Sequence, residues 1–422
     1  MAAPPPPFIP HLRQVVSGRL AERADRDAFV LRPTAPAGRY TLAFVTPEVR
    51  FPMLDLRSEV QELWPDLQPA VEGVLKSGAF IGGPEVEGFE SAVAEYLGAK
   101  HAIGLNSGTD ALILGLEALG VGPGDEVVTT AFSFFATSEA VLRLGATPVF
   151  VDIDPVTLNM DPDLAAAAMT ERTKVLLPVH MFGLPARVEE LRAIANRNGV
   201  HLLEDCAQSF GARVGGRQTG TFGAVGAFSF YPTKNLGAYG DAGMVTVEDD
   251  ALAVRIRSLR NHGSSPANKY LHDGPGHNSR LDALQAAVLN VKLPHVASLN
   301  ERRRERAAAY RHALTDVPQG IVHNGDRALQ LPVDDAAHVY HQFTVQVPAA
   351  VRERLEGELA QRGGAFSRFY PTPLTRQPAG FDFGPAPVAE EACKRVLSLP
   401  IHPWLPDAAI DAVREAVEQA FA

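Results

Sequence analysis

Ala224-Val225-Gly226-Ala227-Phe228-Ser229-Phe230-Tyr231-Pro232-Thr233-Lys234-Asn235 opens as an apolar strand and closes on a lysine. Upstream, Val200-His201-Leu202-Leu203-Glu204-Asp205-Cys206-Ala207-Gln208 does the same with an aspartate. Both openings are short apolar runs of strand length, as expected of strands buried on both faces. Runs of this kind recur at Ala102–Leu105, Glu126–Thr129, Thr147–Val151, Val175–Val179 and Gly243–Val247. Helical spacing fills much of the chain around them: Val60, Leu63, Leu67, Val71 and Val74 up to Ser77-Gly78, then 84–97, 111–119, 162–169 and 187–198. Apolar strands separated by helices predict an α/β fold with a mainly parallel seven-stranded sheet covered on both faces. In such a sheet ligands gather beyond the carboxyl ends of the strands. Asp205 and the turn Ser107-Gly108-Thr109 both fall there.

The character of the chain changes twice. Residues 1–50 are rich in Pro and Arg and hold no sustained period, so they read as an extension, partly disordered or loosely packed, and a start codon further downstream is compatible with them. Residues 51–295 form the large α/β domain. Residues 296–422 read as a smaller α+β domain, with a charged helix around Glu301–Tyr310, a strand over His341–Val347 and helices at 350–362 and 407–421.

At 422 residues, 46% hydrophobic and 21% charged, the composition is that of a soluble globular protein long enough for two domains. The net charge of −10 gives no global attraction to nucleic acid or to an anionic membrane. The N-terminal Met1-Ala2-Ala3-Pro4 lacks the basic and apolar regions of a signal peptide, and no apolar stretch reaches the length of a membrane span. Cys206 and Cys393 stand too far apart in sequence for a metal-ligand motif, and Cys206 reads as a small buried filler. A cytoplasmic protein without a metal site is the expectation.

Three features suggest chemistry. Asn106-Ser107-Gly108-Thr109-Asp110-Ala111 joins a strand to a helix, which offers free amides and hydroxyls to a phosphate at the positive end of the helix dipole. A plain helix N-cap explains the same residues, and no Gly-Lys-Ser/Thr follows. Phe132, Phe134 and Phe135 could plate a planar ring or simply pack in the core. Asp205 could hold a pyridine nitrogen protonated, Gln208 could reach a phenolic oxygen or equally cap a helix, and Lys234 could form a Schiff base. That set suits pyridoxal 5'-phosphate, although a lysine beside a Pro-Thr turn is by itself more often solvated.

Together these residues carry a resemblance. Residues 51 to about 400 resemble the DegT/DnrJ/EryC1/StrS family of sugar aminotransferases, enzymes of the aspartate-aminotransferase-like type I fold. The matching segments are 82–90, Ser107–Ala111, Gly122–Val127, Glu204–Ser209, Phe228–Gly237 and Asn278–Asp282, in the family's order and spacing. The resemblance implies that Lys234 bears the cofactor, Asp205 pairs with its pyridine nitrogen, Gln208 meets the phenolic oxygen and Phe134 stacks on the ring. Gly108, Thr109 and Ser229 would hold the phosphate, and Asn278 would reach the phosphate of the neighbouring subunit in a homodimer.

It also implies an amino transfer from glutamate to a nucleotide-linked 3-keto or 4-keto sugar, for amino-sugar or polysaccharide biosynthesis. Cys206-Ala207-Gln208-Ser209 resembles the 3-keto subgroup. A branch that dehydrates its sugar carries histidine in place of the lysine, whereas this chain keeps Lys234. Lys269, Tyr270, Arg280, His341 and Tyr370 lie in segments that border the sugar in relatives. Thr375, where relatives usually have histidine, and the segment 267–276 depart from the pattern. The Arg302–Arg306 run reads as a solvated helix face rather than a diphosphate clamp. Two alternatives remain, a different pyridoxal phosphate enzyme such as a lyase and a non-catalytic regulator that binds a nucleotide sugar.

Overall fold

The computed structural model describes residues 29–34, 39–44, 49–265, 268–318, 320, 328–378 and 383–422; the side chains of 29–34, 39–44 and Lys269 lie outside that description. Met1–Arg50 and Phe51–Ala422 are separate compact units. In the first, β1 (Phe29–Thr34) pairs antiparallel with β2 (Arg39–Phe44), Phe29 opposite Phe44. This hairpin differs from the sequence expectation. Each strand is six residues long and mixes Arg, Pro or Thr with apolar residues, so neither develops a readable alternation.

The second unit is built on seven strands: β3 (His101–Leu105), β4 (Glu126–Thr130), β5 (Thr147–Val151), β6 (Thr173–Leu177), β7 (His201–Asp205), β8 (Val225–Ser229) and β9 (Gly243–Val247). Their order across the sheet is β3-β9-β8-β7-β6-β4-β5. Only β9 runs against its neighbours β8 and β3; the other pairings are parallel. A parallel neighbour needs a crossover, usually helical. The link from β8 to β9 has no helix, and it simply turns back with Lys234 in it.

Both faces of the sheet are covered. Val127, Leu203 and Val225 pack on one side against α3 (Gly108–Ala118), α4 (Ala136–Arg143) and α7 (Asp250–Leu259). Their strand neighbours Val128 and Leu202 face the opposite side with α5 (Pro162–Ala167) and α6 (Val188–Asn198). Phe228 and Met244 continue that side against α2 (Pro84–Leu97) and α8 (Ala283–Lys292). Successive residues of a strand point to opposite faces, which is why these strands need apolar side chains at every position. α1 (Leu56–Ser77) starts with Asp55 accepting from the Ser58 N–H at 3.0 Å and stops at Gly78, whose φ of 68° suits glycine.

A second core gathers the chain after residue 295. There β10 (Phe343–Gln346) pairs antiparallel with β11 (Val396–Leu399). α9 (Val296–Ala313), α10 (Ala349–Gln361) and α12 (Asp407–Phe421) pack on it, while α11 (Pro387–Arg395) lies against Phe132 and Phe182. No helix among the described residues is long and apolar enough to cross a membrane.

Candidate active site

Asp205 ends β7 and is 4% exposed. Its Oδ2 accepts from Thr137 Oγ1 at 3.0 Å and its Oδ1 from the Ala207 N–H at 3.1 Å. Thr137 sits on α4, and its hydroxyl also meets Ser133 Oγ at 2.9 Å. Burial raises the Asp205 carboxyl above its ordinary range, against these hydrogen bonds and the nearby charge of Lys234. The site thus holds a buried carboxylate with no Lys or Arg within ion-pair distance among the described residues, a setting that favours a cationic N–H donor such as a pyridinium.

Behind Asp205 lies a buried network. Glu204 accepts from the N–H groups of Gly220, Phe222 and Gly223 at 2.9, 2.7 and 2.8 Å and from His180 Nε2 at 3.1 Å. His180 Nδ1 accepts from the Ala186 N–H at 3.0 Å, so the ring proton sits on Nε2 and points at Glu204. Ligating atoms of His180, Glu204 and Cys206 lie within 4.8 Å of one another. The histidine and carboxylate atoms are already engaged, and burial pushes the Cys206 thiol well up, toward its neutral form. The group is a structural lock on the end of β7.

Lys234 lies in the link between β8 and β9, half-buried. Its amine makes no hydrogen bond to a described residue, and burial pushes its pKa down to about 8, with Asp205 opposing. Close by, Ser229 ends β8 and packs on the first residue of α3: a Cβ on Gly108 would stand 2.5 Å from Ser229 Cβ. Ser107 caps that helix, its Oγ accepting from the Asp110 N–H at 3.1 Å and its carbonyl from the Ala111 N–H at 3.1 Å. The N–H groups of Gly108 and Thr109 have no acceptor among the described residues. Two free amides at a helix N-terminus, with the Thr109 and Ser229 hydroxyls beside them, fit a phosphate.

The aromatic wall follows β4. Phe134 is 59% exposed, and Tyr370 lies 6.2 Å from it and 6.0 Å from Phe132 between ring centroids. Gln208 joins the two sides of the cleft: its Oε1 accepts from the Phe182 N–H at 2.7 Å and its Nε2 donates to Tyr370 Oη at 3.2 Å. Burial and then the Asp205 charge push the Tyr370 phenol up, so it stays protonated.

The other expected residues separate. His341 is 6% exposed with Nδ1 3.2 Å from Asn235 Oδ1, and burial holds it neutral beside Lys234. Arg280 donates to Asn278 Oδ1 at 2.7 Å and to Asn261 Oδ1 at 2.9 Å, which leaves Asn278 on the exposed surface. Tyr270, 78% exposed, projects from the strand Asn268–His272, and the Lys269 side chain lies outside the described residues. Thr375 is buried with its hydroxyl unpartnered. In the arginine run, Arg302, Arg304 and Arg306 pair with Glu62, Glu301 and Asp407, but Arg303 departs from the solvated-face expectation. It is 5% exposed and reaches the carbonyls of Tyr340 and Ile401 at 3.4 Å.

Comparison with known proteins bears on this arrangement. The model of the DegT/DnrJ/EryC1/StrS aminotransferase family matches residues 62–418. Two relatives are each 45% identical over 88% of this chain. They are the pleiotropic regulatory protein of Geobacillus stearothermophilus, 98% of which is covered, and the dTDP-3-amino-3,4,6-trideoxy-alpha-D-glucose transaminase of Streptomyces venezuelae, 97% covered. A crystal structure of NtdA from Bacillus subtilis with bound cofactor PMP superposes with a TM-score of 0.81 at 31% identity, over 88% of this chain and 85% of that one. The chain belongs to the DegT/DnrJ/EryC1/StrS aminotransferase family.

Proposed function

We propose that this chain is a pyridoxal phosphate-dependent aminotransferase that moves an amino group from glutamate to a nucleotide-linked ketosugar. The observation that carries the reading is the convergence, beyond the carboxyl ends of the central strands, of a buried carboxylate, a lysine of depressed basicity and two free helix-end amides. Gly108, Thr109 and Ser229 would hold the phosphate, Asp205 the ring nitrogen, Phe134 one ring face and Lys234 the carbonyl carbon. Bound there, the cofactor supplies a carbonyl that condenses with amines and a ring that accepts the electron pair of a carbanion.

The chain's own residues do the rest. Asp205, fixed by Thr137 and the Ala207 amide, keeps its charge on the ring proton. The Gln208 amide, hydrogen-bonded to the Tyr370 hydroxyl, would face the opposite edge of the ring. Lys234 Nζ, with a pKa near 8, is partly free base at neutral pH. It can take the α-proton of the amino donor and return a proton to the sugar carbon that gains nitrogen.

Amination at C3 is the finer reading. It is supported by Cys206-Ala207-Gln208-Ser209 and by the 3-amino sugar in the name of the Streptomyces relative. A homodimer with Asn278 reaching the partner's phosphate site is supported by that side chain's exposure. Sparse, unpaired cysteines support a cytoplasmic location. A regulator that binds without turnover is kept in view by the name of the Geobacillus relative.

The test is the visible absorption spectrum of the purified protein with pyridoxal phosphate, before and after glutamate. A band that converts to the amine form of the cofactor is expected. No band at all would overturn the cofactor assignment, and a band indifferent to every amino donor would favour the regulator.

A further inference from the structure

A buried charged pair outside the site grips the link that carries Lys234. Lys292, the last residue of α8, is 1% exposed. Its Nζ donates to the Gly237 carbonyl and to Glu59 Oε1 on α1, each at 2.5 Å. Tyr239 Oη donates to the same Glu59 oxygen at 3.2 Å, and the Tyr239 ring lies 4.8 Å from Lys292 Nζ. The Tyr239 N–H donates to Gln285 Oε1 at 3.0 Å. Gly237 itself packs closely on the preceding turn, since a Cβ there would stand 2.7 Å from the Pro232 carbonyl oxygen. The stretch just past Lys234 is therefore tied to two helices.

Stability does not explain this choice of residues. Burying an ammonium and a carboxylate costs several kcal/mol of hydration, and a well-packed apolar pair of similar volume is often as stable or more so. Methionine would fill the space of Lys292. It could not donate to the Gly237 carbonyl.

We propose that Lys292, held by Glu59, is a positioning residue that fixes the Lys234 link through the Gly237 carbonyl and so keeps the Lys234 amine sheltered from water. The proposal rests on Lys234 being the cofactor-bearing lysine. The titratable groups that bear on Lys234 are Asp205, which favours its charged form, and the neutral His341; Arg303 bears on Lys292 and Glu59. If the link loosens, the amine hydrates and burial no longer depresses its basicity.

The experiment follows acylation of Lys234 against pH in the full-length, cofactor-free protein, read by mass spectrometry of its peptide. The wild-type midpoint is expected near 8. Lys292→Met should raise it by about one unit or more toward the ordinary lysine value of about 10.4, and Lys292→Arg, which keeps a donor, should bring it back. Glu59→Gln separates positioning from charge. Loss of a nearby negative charge alone lowers a lysine's pKa, whereas loosening raises it, so a fall overturns the proposal. The double variant Glu59→Met/Lys292→Met removes both charges, and its melting temperature is expected to recover while the midpoint stays high. A wild-type midpoint in that folded double variant would also overturn the proposal. Failure of the cofactor reading shows separately, as no visible band in wild type with pyridoxal phosphate, and leaves the labelling result standing.

Discussion

Asp205 and Lys234 are displaced from their ordinary titration by the same force acting in opposite senses. Burial penalises whichever form is charged, so the carboxyl moves up and the ammonium moves down, and the attraction between them offsets only part of it. Asp205→Asn keeps the shape and a hydrogen-bonding oxygen but removes the charge that would hold a ring proton. The visible band with pyridoxal phosphate should persist in this variant. Its conversion by glutamate should slow on the order of a thousandfold, within the range for loss of a proton-holding group. Rapid-mixing absorbance measures this directly, and conversion at near the wild-type rate would remove Asp205 from its role. Both residues stood out in the sequence because Asp205 closes one apolar run and Lys234 follows another; the structure pairs the two strands, Ala227 opposite Asp205. Thr137 was not legible. Its contact with Asp205 spans 68 positions, and a hydroxyl just after an aromatic run reads equally well as a helix cap.

At the level of elements, the proposed phosphate site is a meeting of three backbones. Gly108 starts α3 against Ser229 at the end of β8, and Gly243 starts β9 so close that a Cβ there would stand 2.2 Å from the Ser107 carbonyl oxygen. Gly108→Ala must push Ser229 or the first turn of α3 aside, which turns two amides away from their common target. The expected result is a loss of pyridoxal phosphate affinity by roughly ten- to a hundredfold, about 1.4–3 kcal/mol, with the helix itself retained because alanine is a better helix former than glycine. Equilibrium dialysis of the cofactor checks it, and unchanged affinity would place the phosphate elsewhere.

The strands and the helices with an uninterrupted apolar period were readable, as in β5, β9, α2 and α12. The helices α4, α7, α8 and α11 escaped. α4 is only eight residues long, and α8 is apolar on most of its faces, so its period is blurred. The reversed direction of β9 also escaped, because apolar content records burial and not strand polarity.

For the molecule as a whole, the buried histidines couple folding to pH. Burial lowers His338 to about 3 and His402 to about 4, and it holds His341 well below its ordinary value. In the unfolded chain all three titrate near 6.5. Between these limits the unfolded state binds protons that the folded state refuses, so stability must fall as pH drops below about 6.5. Each group contributes up to about 1.4 kcal/mol per pH unit, so the three together can remove several kcal/mol by about pH 5. That is a large share of the roughly 5–15 kcal/mol that holds a folded domain. The raised Asp205 carboxyl opposes the trend, since its folded form gains a proton first. Glu62 and Glu126, whose carboxyls are lowered, add to the loss only below their unfolded value of 4.5. His402 isolates the effect. Neither of its buried ring nitrogens has a partner within hydrogen-bonding limits, although the Pro52 backbone approaches, and it lies at the second core and not among the residues assigned to the cofactor. His402→Leu should therefore leave the melting temperature at pH 8 unchanged or higher and flatten its fall between pH 6.5 and 5. A melting curve that falls in parallel with wild type would show that the acid sensitivity comes from other groups.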